Sequence, residues 1–90
     1  MNASDFEAQL RAQGYSEIET KTLAPRPANV DHGHDFSVRG LVLSGAFTVA
    51  QEDGPVTYRP GDVFTVEAGK AHSEEVGPEG ARILAGRKYA

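Results

Sequence analysis

The sequence predicts an all-β protein, a small sandwich or barrel preceded by one short helix. Three observations predict it. Roughly seven short runs rich in Val, Ile, Leu, Phe and Thr follow one another along the chain. Turn residues separate them about every 8–12 positions. No repeat, low-complexity stretch or linker interrupts them, so the 90 residues read as one domain spanning 1–90. A chain of this length holds a single core of modest size, for which a second copy is a natural source of further burial.

The helix comes first, at about residues 5–13. Ser4-Asp5-Phe6-Glu7 has the form of a capping box, Phe6 and Leu10 lie one turn apart, and Gly14 suits a left-handed C-terminal cap. From Ser16 to Leu23 a first strand places Ile18, Thr20 and Thr22 on one face, and Ala24-Pro25-Arg26-Pro27 makes a rigid extended connection. Asn29–Asp35 leads into the apolar run Phe36–Leu43, which Gly45 breaks and Ala46–Ala50 resumes. Glu52-Asp53-Gly54-Pro55 reads as a hairpin turn with Val56–Arg59 as its return strand. Pro60-Gly61-Asp62 supplies the fixed φ and then the positive φ of a type II turn before Val63–Val66. After the Glu67–Ala71 loop, His72–Val76 forms a strand, Gly77-Pro78-Glu79-Gly80 a turn, and Ala81–Ala85 the last strand.

Composition narrows the function. The absence of cysteine removes disulfides and every thiolate metal motif, so any metal site here uses nitrogen and oxygen ligands. A formal charge of −4 and a pI near 5.2, with Lys and Arg scattered, leave no footprint for a nucleic-acid backbone. The N-terminal residues form no leader and no apolar run reaches the length of a membrane span, which predicts a cytoplasmic protein without nucleic-acid or membrane partners.

The chemistry concentrates in Asp31-His32-Gly33-His34-Asp35. Side chains alternate along an extended strand, so His32 and His34 share one face. His72, the remaining histidine, opens a later strand. Three neutral imidazoles suit a divalent first-row metal, and three protein ligands leave coordination positions open. Parity makes Glu74, two residues after His72, the candidate fourth ligand, while Glu75 points away. Asp31 and Asp35 have the wrong parity and are assigned to turns or to hydrogen bonds that orient the imidazoles. Phe36 and Val38 continue the face of His34, giving the pocket an apolar wall that Phe47, Tyr58 and Phe64 could close. Arg39, on the opposite face, is expected in solvent or in an ion pair.

These residues resemble a small single-domain cupin, from about Val30 to about Lys88. The first cupin motif pairs two histidines as His-x-His, with a Glu a few residues on and a later Gly; here they are His32, His34 and Gly45, with Val38 in the Glu position. In the second motif Gly61 opens the strand, Glu67-Ala68-Gly69 replaces the usual Pro-x-Gly loop, His72 is the histidine, and Val76 stands where Asn is usual. The resemblance implies a double-stranded β-helix, a jelly-roll-like barrel at about residues 17–88, commonly a homodimer, with a metal held by His32, His34 and His72. It also implies that the Glu ligand is lost or supplied from elsewhere, a second argument for Glu74.

Three readings compete. The first is a small metal-binding cupin holding iron, zinc, nickel, copper or manganese and open to a small-molecule ligand or substrate. Its catalytic form is similar to the three-histidine non-haem iron dioxygenases, acting on a small thiol, diketone or hydroxy-acid. Its non-catalytic form is a ligand-sensing barrel, and a third reading gives the histidines a purely structural role. Fold analogy does not choose among them.

Overall fold

In the computed structural model, which describes residues 1–89, helix α1 (Ala3–Ala12) starts earlier than the capping box suggests. The cap is Asn2, whose backbone is extended and whose side-chain oxygen accepts from the Asp5 N–H at 2.8 Å. Ser4 therefore lies inside the first turn. Glu7, freed from a capping role, pairs with Arg11 one turn on at 2.8 Å. Gly14 follows the C-cap with φ +87°, as a left-handed terminator should.

Five strands follow, β1 (Ser16–Leu23), β2 (Phe36–Gln51), β3 (Gly54–Tyr58), β4 (Val63–Val66) and β5 (Ser73–Tyr89). The expected seven short strands become five because two of them are long. β2 runs through Gly45 and β5 runs through Gly77–Gly80, where breaks were expected. Glycine bends these strands without ending them. Gly45 and Gly80 have φ +77° and +76°, and the two long strands cross there. A Cβ at Gly45 would collide with the Gly80 carbonyl, and one at Gly80 would lie 2.7 Å from the Leu23 carbonyl oxygen. Register shifts between Val42 and Ser44 and between Gly45 and Phe47 mark β-bulges at the same level. The bends let β2 and β5 coil together while pairing from Phe36↔Tyr89 to Ala50↔Ser73.

The remaining strands complete the coil. β4 pairs with the first half of β2, β3 with its second half, and β1 with the second half of β5. The connection 24–35 lies beside the first half of β5, bridging Arg26 to Val76 and His32 to His72. This is a double-stranded β-helix with a short N-terminal helix.

Alternation along the strands divides the apolar residues between two faces. Val42, Phe47, Val49, Phe64, Val66, Val76, Ala81 and Ile83 fill the inside. Outside, Leu41 and Leu84 meet Phe6 and Leu10 of the helix, with Tyr15, Ile18, Leu43 and Val63 around them. Arg39 belongs to this outer layer and is not solvated: its guanidinium donates to Thr65 Oγ1 at 3.2 Å and lies 5.9 Å from the Phe6 ring centre. No helix among the described residues is long and apolar enough to cross a membrane.

Candidate metal centre

The backbone brings the histidines together before their rings are considered. His32 and His72 are an antiparallel pair, each donating its N–H to the other's carbonyl at 2.8 Å. The His34 carbonyl accepts from Gly69 N–H at 2.8 Å, which ties the 30–35 segment to the loop before β5. Because His32 and His34 are two residues apart, both rings fall on the side that His72 reaches. One donor nitrogen from each lies within 4.8 Å of the others, although the 30–35 segment is a connection with a single bridge rather than the expected strand. His72 is buried, His34 is half-buried and His32 is the most exposed of the three.

One hydrogen-bond pattern repeats three times. Nδ1 of His32, His34 and His72 lies 3.2, 3.1 and 3.2 Å from the carbonyl oxygens of Val30, Phe36 and Lys70, each two residues away. A carbonyl only accepts, so Nδ1 carries the proton, and in the neutral ring Nε2 keeps its lone pair. Backbone carbonyls, rather than Asp31 or Asp35, make the hydrogen bonds to Nδ1, which leaves the two acids the turn role that was their other expectation. The His34 ring is fixed further by a parallel stack on Phe36, with centres 4.1 Å apart and planes 5° from parallel.

The donor set fits a divalent transition metal. Glu74 Oε2 lies 3.2 Å from His72 Nε2, and a nitrogen lone pair facing a carboxylate at that distance calls for a proton or a metal ion between or beside them. Glu74 is also held from behind: Asn29 Oδ1 accepts its N–H at 2.7 Å, and Arg26 lies 3.5 Å from Oε1. The group that closes within 4.8 Å comprises the three histidines, and Glu74 adjoins it at His72.

His32, His34 and Glu74 border a cavity of about 250 Å³, of which His72 is not a lining residue; its size suits a compact ligand. Phe36, Val38, Phe47 and Phe64 line it, joined by Leu23, Ile83 and Ala85, so much of the expected apolar wall is present. Tyr58 packs against the inner core and is not part of the lining. Glu17, Glu19, Lys21 and Arg87, whose place in the site was not evident from the sequence, line the same cavity. The first three come from the odd positions of β1, the face opposite Ile18. A β1 alternation read in the other phase could have found them. Arg87 stands over Phe36, with its guanidinium carbon 4.4 Å from the ring centre. Hydrogen bonding to the Tyr89 side chain, opposed by burial and aided by the charges of Tyr89, Glu17 and Glu19, raises its pKa above the ordinary value, so it is a fixed cation.

No protein-family model matches the sequence, and no curated protein matches it. Solved structures do match the fold. A cupin superfamily protein from Desulfitobacterium hafniense superposes with a TM-score of 0.63 at 19% identity, covering 80% of this chain and 64% of that one. A conserved Streptococcus pyogenes protein of unknown function gives 0.69 at 16% identity, with 81% and 63% covered. A Thermotoga maritima protein described as a predicted oxalate decarboxylase gives 0.68 at 20% identity, with 91% and 73% covered. The chain thus spans less than two thirds of the length of the first two. At these identities the likeness concerns the fold, and the chain has the double-stranded β-helix of the cupins.

Proposed function

We propose that this chain is a small metal-binding cupin in which Nε2 of His32, His34 and His72 holds one divalent transition metal beside a cavity open to a small ligand. The observation that carries this reading is the repeated Nδ1-to-carbonyl bond, which leaves Nε2 of His32 and His34 free to coordinate and turns that of His72 toward Glu74. When bound, such an ion supplies Lewis acidity and open coordination positions. The chain's own residues do the rest. The Phe36 stack holds His34 in orientation, and the apolar lining limits water around the ligand. Glu74, steadied by Arg26 and Asn29, serves as a further ligand or as a hydrogen-bonding partner of whatever occupies an open position. The same reading takes the chain as a homodimer, with the exposed edge strand β1 as available surface.

The test is metal stoichiometry on purified protein. Zinc titration of the metal-stripped wild type should reach one equivalent per chain, and His72→Ala should lose most of the uptake while keeping its β-sheet circular dichroism. A stoichiometry near zero for the wild type, or full uptake by His72→Ala, overturns the assignment.

A further inference from the structure

Val38 and Arg87 face each other across the β2–β5 ladder, and both side chains line the histidine cavity. Val38 stands where the resembling motif carries a Glu. A hydrocarbon and a guanidinium therefore occupy the wall on which that motif presents a carboxylate. Arg87 is held in place by Phe36, itself stacked on His34, so its position is coupled to the histidine cluster. Its ion-pair partner is Glu17, 3.9 Å away at the bulge of β1.

The charges sharpen this. Among the acids of the lining, Glu19 pairs with Lys21 at 3.4 Å, Glu74 with Arg26 at 3.5 Å, and Glu17 with Arg87 at 3.9 Å. Arg26 is not part of the lining, which carries Glu17, Glu19 and Glu74 against Lys21 and Arg87, so a divalent ion on three neutral imidazoles turns one excess negative charge into one excess positive charge. A single anion in the cavity cancels that excess. The planar fork of Arg favours a carboxylate over a simple point anion, while Val38, Phe47, Phe64 and Ile83 favour a hydrocarbon tail.

We propose that the ligand of this cavity is a small aliphatic carboxylic acid whose carboxylate pairs with Arg87 and whose tail lies on Val38, Phe47, Phe64 and Ile83. This rests on the metal-binding reading.

The experiment uses the zinc-loaded full chain, with 2-hydroxybutanoate as probe and its uncharged counterpart 2-hydroxybutanamide as control, followed by titration calorimetry. The acid should bind at least tenfold more tightly than the amide, as a charged hydrogen bond at a partly buried Arg implies. Arg87→Gln should lose at least tenfold for the acid, with zinc stoichiometry and amide binding unchanged, and Arg87→Lys should recover part of the loss. Equal acid affinity in wild type and Arg87→Gln, both holding one zinc, overturns this inference and leaves the metal assignment standing. Failure of the wild type to take up zinc overturns the metal assignment, and this inference with it.

Discussion

The two apolar layers of the molecule are filled differently. Outside the barrel, Phe6 and Leu10 are fully buried against Leu41 and Leu84, with the residues around them closing the contact. Inside, Val49 and Val66 are nearly inaccessible, yet Phe47, Phe64 and Ile83 also border a cavity of about 250 Å³ that ends at the histidines. Close packing on one face stabilises the fold, and incomplete packing on the other leaves room for chemistry. The contrast teaches that the helix is a structural clamp, while the site depends on the strand bends and the 24–35 connection.

This comparison can be broken at four places. The largest effect is expected at Phe6→Ala, which empties the outer layer and should cost about 3–5 kcal/mol of stability. Urea unfolding would show it as a lower midpoint with an unchanged slope, and the folded fraction should bind zinc as before. Next comes His72→Ala, which should weaken zinc binding by about 100-fold, or about 2.7 kcal/mol, with little loss of sheet signal. Equilibrium dialysis against a competing chelator measures it. A clean separation of these two variants supports the division between layers, and joint loss of stability and binding in both would dissolve it.

The third place is the strand crossing. Gly45→Ala forces a Cβ into the left-handed region and against the Gly80 carbonyl. The cost should be about 2 kcal/mol, read as a drop in thermal midpoint, and it should loosen the histidine end because β2 and β5 carry the bends together. The smallest effect is expected at Glu74→Gln. This keeps the shape and removes the charge beside His72, and should reduce zinc affinity by about tenfold. An unchanged affinity would return Glu74 to a role in holding the Asn29 and Arg26 segment.

Much of this was legible in the residues. Period-two alternation placed His32 with His34 and put Phe36 and Val38 on their side, and Gly14, Gly61 and the Glu52-Asp53 turn behaved as their backbone preferences require. What could not be read was long-range. Gly45 and Gly80 look like strand breaks locally, and only their meeting across two strands shows that they are bends. The bulges they accompany set the register that puts Arg87 opposite Val38, and no local pattern encodes that pairing. β1 was read by its β-branched residues, which belong to the outer face, so the charged residues turned toward the cavity went unassigned. The helix cap was missed because Asn2 and Ser4 offer equivalent side-chain oxygens, and the choice between them depends on where the helix meets the sheet.

The central claim is that three imidazoles converge on one ion. Crystals grown with zinc and measured on either side of its absorption edge test it most directly. The account predicts a single strong anomalous peak about 2.0–2.1 Å from Nε2 of His32, His34 and His72, with each Nδ1 still on its backbone carbonyl. Zinc-bearing crystals with no peak between those rings, or with the rings turned apart, would contradict it.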